Sequence, residues 1–177
     1  MKTVYTILLL FTLAAVLCAC PYSSPYKLDD VPSLNVDDAL LGKWATFVKR
    51  PNTDQDEPVK LILSKKNETE YNIALIGYLE DLRPFHVVTA DSVLGTAFMS
   101  AVGGRQFLNI NIKSKFYIAE LKFENERLSV LPMVEHFTSK MIFNNSALRT
   151  SLEFHYKTRV HPMFDEEFCL KDMVRVN

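Results

Sequence analysis

The strongest constraint on the fold is a regular alternation of apolar and charged residues in the second half of the chain. Between Tyr117 and Glu124 every second residue is apolar, and charged residues fill the intervening positions from Glu120 onward. Successive side chains of a strand point to opposite faces of a sheet, so this pattern predicts a strand with one buried face and one solvated face. Asn125-Glu126 predicts a turn, and the alternation resumes after it as far as Val130.

Earlier segments show the same alternation and predict further strands. Val59–Leu63 and Glu70–Ile76 each carry apolar residues on one face. Phe98–Val102 and Phe107–Ile112 flank the pair Gly103-Gly104, which accommodates the positive φ angles of a tight hairpin turn. The body of the chain is therefore predicted to consist mainly of antiparallel strands joined by short turns.

The predicted strand Phe107–Ile112 has a clear interior face. Its residues Leu108, Ile110 and Ile112 are predicted to point inward. Asn109 and Asn111 lie between them and are predicted to face water.

The C-terminal part of the chain mixes helical and strand patterns. Apolar residues recur at helical spacing in Phe137–Ile142 and again in Leu148–Leu152, with Asn145 or Ser146 as the predicted N-cap. Phe168–Val176 is predicted to form a last strand that rejoins the sheet. The predicted fold class is α+β, mainly antiparallel β: a curved sheet or partial barrel with one or two C-terminal helices.

The N-terminal segment has the composition of a secretory signal. Lys2 precedes an apolar run from Val4 to Leu17, and the small residue Ala19 follows. The run is shorter than the roughly 20 apolar residues of a membrane-spanning helix and fits the apolar region of a signal peptide. Leu17 is a poor residue for the third position before an ordinary signal-peptidase site.

The segment Leu17-Cys18-Ala19-Cys20 resembles the lipobox of bacterial lipoproteins, in which an aliphatic, a variable and a small residue precede a modified cysteine. The resemblance implies that Cys20 becomes the first mature residue and carries lipid on its thiol and amino group. Two alternatives remain: Cys18 as the modified residue, which puts Leu17 at the small-residue position, and a plain secretory signal followed by a chance cysteine.

The same resemblance implies a place for the protein. It predicts anchoring to a membrane of the cell envelope through Cys20, with the protein facing the periplasm. Pro21 and Tyr22 follow the cysteine, whereas an aspartate there favours retention in the inner membrane, so attachment to the outer membrane is favoured.

The chain divides into three predicted parts. Residues 1–19 form the signal peptide, residues 20–34 the lipidated cysteine and a flexible tether rich in proline and serine, and residues 35–177 a single globular domain. A segment of this length is typical of one domain with its own core.

The segment Gly42-Lys43-Trp44 contains the only tryptophan and resembles the Gly-x-Trp opening of lipocalin-like barrels. In that superfamily the indole closes one end of the barrel, and an arginine from a late strand packs over it. The resemblance implies that Arg175 takes the arginine's part here. The Thr-Asp-Tyr signature of lipocalins is absent, and a tryptophan that serves only as core remains the alternative.

The sequence predicts no catalytic residue, metal site or cofactor. Its four histidines, at positions 86, 136, 155 and 161, lack the spacing of metal ligands. Glu135-His136 and Asp165–Glu167 are conceivable acid–base partners, but a solvated acidic turn before the last strand is the preferred interpretation. Cys169 remains alone in the body of the chain and is predicted to be a buried structural thiol. A net charge of −1, with no basic cluster, argues against nucleic-acid binding.

The predicted function is that of a non-enzymatic lipoprotein of the cell envelope, with a binding, structural or interaction role. Its predicted partners are the membrane and either an envelope protein or an apolar ligand. Two alternatives remain: a lipocalin-like carrier of an apolar ligand, and an envelope hydrolase whose catalytic residues are dispersed along the sequence.

Overall fold

The computed structural model describes residues 23–49, 56–77, 92–134, 137–138, 140–164 and 166–176. Within these ranges there is one α-helix, α1, at Asn145–Thr158, and there are 3₁₀ turns at Asp38–Leu40 and Glu166–Phe168. The strands are β1 (Gly42–Lys49), β2 (Asp56–Lys65), β3 (Glu70–Gly77), β4 (Ser92–Val102), β5 (Arg105–Ile112), β6 (Lys115–Glu124), β7 (Arg127–Pro132) and β8 (Leu170–Val176).

The eight strands form one closed barrel in chain order. Every neighbouring pair is antiparallel, and β1 closes the barrel by pairing with β8. The prediction of a mainly antiparallel α+β fold is confirmed, but the sheet is more closed than the predicted curved sheet or partial barrel. Alternation identifies the two faces of each strand, but it does not show whether the first and last strands pair. Their pairing is what removes both free edges of the sheet.

The inward faces of the strands form the main core. The apolar faces predicted for Val59–Leu63 and Glu70–Ile76 both point into the barrel. Trp44 and Leu40 fill one end of this core, together with Leu128 and Met173 from the last strands. The period-two pattern therefore identified the interior correctly for these strands.

Three hairpins have two-residue turns: two of them were predicted, and the third was not. Gly103-Gly104 has φ angles of 58° and 76°, and Asn125-Glu126 has 51° and 60°. Lys113-Ser114, with 47° and 66°, joins β5 to β6. Positive φ at both central residues gives the twist that a tight hairpin requires.

The hairpin turns lie at two opposite ends of the barrel, because consecutive antiparallel strands are joined alternately at one end and the other. We call the end with the turns Gly103-Gly104 and Asn125-Glu126 the Trp44 end, since β1 begins there. We call the opposite end, with Lys113-Ser114, the Lys113 end; β1, β3 and β5 finish there.

A second core covers the outer faces of β4, β5 and β6. Phe107 and Ile118 point out of the barrel and pack against Leu148 and Leu152 of α1. Leu28, from the segment before β1, lies in the same cluster with no exposed surface. These strands are thus apolar on both faces because a helix and an N-terminal segment cover them.

Asn109 does not face water as predicted. It is fully buried, its Oδ1 accepts the N–H of Leu28 at 2.7 Å, and its Nδ2 donates to Ser100 Oγ at 2.8 Å. The prediction was wrong because the residue that covers Asn109 comes from a segment 81 positions earlier in the chain. Alternation within one strand carries no information about such a cover.

The described part of the predicted tether lies against the barrel. Ser24 pairs with Phe116 of β6, and Arg149 of α1 donates to Asp29 Oδ1 at 2.7 Å. The negative charge of Asp29 and Asp30 lies beside the N-terminal turn of α1, where a helix favours anions. Proline and serine content predicted an extended segment here but did not reveal its docking surface.

The helix predicted around Leu148–Leu152 is confirmed, with its N-cap one residue earlier than expected. Asn144 caps it by accepting the N–H of Ala147 at 2.8 Å. The helix suggested by Phe137–Ile142 is not found in the described residues of that segment. In the described residues, α1 is therefore the α-helix that packs on the outer face of the barrel.

We expect Leu28→Ala to lower the free energy of unfolding by about 2–5 kcal/mol, because it leaves a cavity in a fully buried cluster. Val31→Ala is the control: Val31 is 72% exposed, so its change should stay within about 0.5 kcal/mol. Urea unfolding measures both. Equal small effects would contradict a docked N-terminal segment.

Candidate functional site

The Trp44 end is filled by the indole of Trp44. Its Nε1 donates to the carbonyl of Leu40 at 2.8 Å, and the ring of Phe123 meets it edge-on at 5.8 Å between centroids. Leu40 is the last residue of the 3₁₀ turn Asp38–Leu40. The residue before this turn, Asp37, donates its backbone N–H to the hydroxyl of the buried Tyr71 at 2.7 Å. The polar atom of the indole is therefore satisfied inside an apolar core, as burial requires.

Arg175 of β8 lies across this indole. Its guanidinium carbon is 4.6 Å from the Trp44 ring centroid, within range of a cation–π contact. Nη1 donates to the carbonyl of Leu41 at 2.7 Å, and Nη2 donates to the carbonyl of Ala39 at 2.5 Å. The structure thus brings together the two residues that the sequence proposed as a pair, and the same side chain joins the last strand to the chain that enters β1.

Gly42 makes room for this arrangement. Its φ of 135° is a conformation that residues with a side chain rarely adopt, and a Cβ there would lie 3.1 Å from Nη1 of Arg175. The glycine of the Gly-x-Trp segment therefore serves both the backbone turn into β1 and the close approach of the guanidinium.

The interior near the Lys113 end is lined by apolar side chains that keep partial exposure. Val48, Leu75 and Ile110 point inward and pack against the main core, yet all three retain accessible surface. Phe123, which points inward beside Trp44, is partly exposed as well, so apolar side chains of the interior keep some accessible surface at both ends. Trp44 itself is covered, with 1% of its surface exposed.

A polar cluster on the outer face holds α1 to the barrel. Glu120 of β6 is 2% exposed and accepts from Arg105 Nη1 at 2.8 Å and from the Tyr156 hydroxyl at 3.0 Å. The guanidinium carbon of Arg105 lies 4.2 Å from the Tyr156 ring centroid. Burial raises the pKa of Tyr156, and the neighbouring Glu120 carboxylate raises it further. The tyrosine is therefore held as a neutral hydrogen-bond donor.

Sequence reasoning missed this cluster because it assigned Glu120 to the solvated face of its strand. A signal was present: the outward positions Phe107 and Ile118 on the same two strands are apolar, which is unexpected for a face in contact with water. A charged residue among outward apolar residues indicates a covered face with an internal ion pair. Within this cluster the charges hold a helix in place.

A shallow depression lies beside the C-terminal half of α1. Its cavity volume is about 80 Å³, and its lining includes His155, His161, Phe154 and Val160. His155 is buried, with Nδ1 3.2 Å from the carbonyl oxygen of Phe137. Small-molecule sites usually enclose about 300–1,000 Å³, so this depression has the size of one inserted side chain.

The remaining predicted residues are accounted for individually. Cys20, His86 and His136 lie outside the described residues. Cys169 is buried, in agreement with a structural thiol. The acidic segment before β8 is described in part, and Glu166 pairs there with Lys171.

Comparison of the chain with known protein families, curated proteins and solved structures gives no match. In the part of the chain that the structure describes, no helix is long and apolar enough to cross a bilayer. Nor do three or more His, Cys, Asp or Glu residues gather there in a group that could hold a metal ion.

We expect Arg175→Gln to lower the free energy of unfolding by about 1–2 kcal/mol, since it removes the cation–π contact and at least one hydrogen bond. Fluorescence of the single tryptophan should also become more sensitive to acrylamide. Lys43→Gln, which changes an exposed neighbour of Trp44, serves as the control. Unchanged quenching in Arg175→Gln would contradict the sealing role.

Proposed function

We propose that this protein is a lipid-anchored lipoprotein of the cell envelope with a non-enzymatic binding or structural role. The observation that carries the proposal is the segment Leu17-Cys18-Ala19-Cys20, followed within four residues by chain that is packed on a folded barrel. A signal, a modifiable cysteine and a folded domain in this order are the parts of an envelope lipoprotein. Cys20 faces the periplasm with the domain, and the outer membrane is the favoured site.

The lipid at Cys20 provides the membrane attachment. A single acyl chain holds a protein only marginally, whereas two or more chains anchor it stably, because each buried methylene contributes about 0.8 kcal/mol. Modification of both the thiol and the amino group of Cys20 supplies these chains. The barrel domain then needs no other membrane segment.

The use of the buried ionisable groups supports a non-enzymatic role. Glu120 accepts hydrogen bonds from Arg105 and Tyr156, and the Arg105 guanidinium lies over the Tyr156 ring. His155 contacts the Phe137 carbonyl beneath α1. Their chemistry is engaged in holding the helix. Exposed apolar side chains nearby, Phe154 and Val160 among them, offer contact area to an envelope protein partner.

We expect Cys20→Ala, in a Leu17→Ala background that lets an ordinary signal peptidase cut after Ala19, to move the protein from the membrane fraction to the soluble periplasmic fraction, because the variant lacks the lipidated thiol. Cys18→Ala in the same background, two residues away, is the matched control and should leave the protein membrane-bound. Cell fractionation shows where each variant is found, and mass measurement of the mature N-terminus shows whether it carries lipid. Release by Cys18→Ala with retention by Cys20→Ala would contradict the assignment.

A second candidate function is a lipocalin-like carrier of an apolar ligand. It is favoured by the inward-facing yet accessible side chains Val48, Leu75 and Ile110, above a core sealed by Trp44 and Arg175. Small eight-stranded barrels can hold one small ligand among the apolar side chains of their interior. In this version the Trp44–Arg175 pair closes the bottom of the site.

We expect native mass spectrometry of the Leu17→Ala/Cys20→Ala protein, purified without detergent, to show one bound apolar molecule. Val48→Lys should abolish the bound mass, since it places a charge among the inward apolar side chains. The adjacent Phe47→Lys is the control, because Phe47 points outward and is 70% exposed. Equal spectra for both variants, with both folded by circular dichroism, would contradict the carrier function.

A further inference from the structure

The attachment point of the N-terminal chain on the barrel is well defined. The N–H of Ser24 donates to the carbonyl of Phe116 at 2.7 Å, and the two residues form an antiparallel bridge. Ser24 is 3% exposed, and its hydroxyl bonds to the carbonyl of Tyr26. Phe116 is the second residue of β6, directly after the turn Lys113-Ser114. The chain therefore leaves the barrel at the Lys113 end.

The distance from the lipid to this point is short. Cys20 and Ser24 are four residues apart, and an extended chain spans at most about 3.6 Å per residue, which gives about 14 Å. The headgroup layer takes up roughly 5–8 Å of this reach, because each leaflet's polar region has that thickness. Ser24 of a protein lipidated at Cys20 thus lies within about 10 Å of the headgroup surface.

The opposite end cannot come equally close in the same orientation. β6 has ten residues, which corresponds to roughly 30 Å along the strand. Strands of small barrels tilt by about 35–45° from the barrel axis, which leaves roughly 20–25 Å of height between the two ends. The Trp44 end is therefore about 20 Å or more farther from the anchor point.

Among the described residues of the Lys113 end, the turn between β5 and β6 carries positive charge, whereas Asp56, which begins β2 at this end, is an exposed carboxylate. Lys113 and Lys115 flank Ser114, and both are exposed. Lys27 lies over Phe116, the residue after Lys115, with its Nζ 5.4 Å from the ring centroid, and donates to the carbonyl of Asp30 at 2.9 Å. Electrostatic attraction to anionic lipid extends over about one Debye length, roughly 8–10 Å, which matches the reach of the short chain.

We propose that the Lys113 end of the barrel docks on the surface of an anionic phospholipid bilayer, with the Trp44 end pointing away from it. The inference rests on the proposed lipidation of Cys20 and adds an orientation and a lipid partner to it. The partly exposed apolar side chains Val48, Leu75 and Ile110 belong to strands that finish at this end, so these three side chains lie on the bilayer side of the barrel.

The orientation is tested with two matched cysteines in the full lipidated chain, in a Cys169→Ala background. Ser114→Cys and Glu126→Cys both replace the second residue of a two-residue turn, with φ angles of 66° and 60°, at opposite ends of the barrel. Each is labelled with the same fluorophore and reconstituted into vesicles of phosphatidylethanolamine and phosphatidylglycerol that contain a headgroup-attached nitroxide.

Quenching at position 114 should exceed quenching at position 126 several-fold. Equal quenching, as expected if this end holds a second copy or another protein, overturns the orientation, and so does stronger quenching at 126. The mass of the purified protein distinguishes the two levels of failure. An unmodified Cys20 overturns the proposed anchor and the docking together, whereas a lipidated Cys20 with equal quenching overturns the docking alone.

The role of charge is tested after lengthening the chain between Tyr22 and Ser23 by about twelve glycine and serine residues, which allows the barrel to leave the surface. Stronger quenching at 114 should persist in this variant and disappear on addition of Lys115→Glu. Lys43→Glu, an exposed lysine at the Trp44 end, should leave the difference intact. Equal effects of the two substitutions overturn the attraction to anionic lipid.

Discussion

Closure of the barrel depends on the pairing of its first and last strands. In the described residues the register of β1 with β8 comprises three residue pairs, and the central one places Trp44 opposite Arg175. The Arg175 guanidinium covers the indole and reaches two carbonyls of the chain that enters β1, so one side chain connects the last strand, the 3₁₀ turn and the main core. Without this pairing, two strand edges would be open, and the apolar interior would have no cover at the Trp44 end.

A second set of contacts holds α1 and the N-terminal segment on the outer face of the barrel. The N-terminal segment and α1 cover the outer faces of β4, β5 and β6, and the buried Glu120 links β6 to α1 through Tyr156 and to β5 through Arg105. Removing Arg105 or Tyr156 would leave the buried Glu120 carboxylate with one partner fewer, which is unfavourable because a buried charge needs hydrogen-bonding partners. The same covering brings the chain that follows Cys20 to the Lys113 end, so the packing of the outer face decides where the proposed anchor is attached.

The proposed function combines these two features. A short chain from Cys20 would hold one end of the barrel at the membrane, and the sealed Trp44 end would face away from it. The accessible apolar side chains inside the barrel belong to strands that finish at the membrane side. A carrier built in this way would exchange an apolar ligand with the lipid phase over a short distance, and a purely structural lipoprotein would present its helix-covered flank to a partner.

The sequence by itself determined most of the strands, their inward faces, the turns Gly103-Gly104 and Asn125-Glu126, and a helix around Leu148–Leu152, because each depends on local spacing or on turn chemistry. It also predicted the anchor at Cys20 and suggested the pairing of Trp44 with Arg175. The tertiary structure alone decided that the sheet closes, that Asn109 and Glu120 are buried, and that residues after Ser23 dock on β6. These outcomes depend on contacts between residues far apart in the chain, and the period of a single strand contains no information about them.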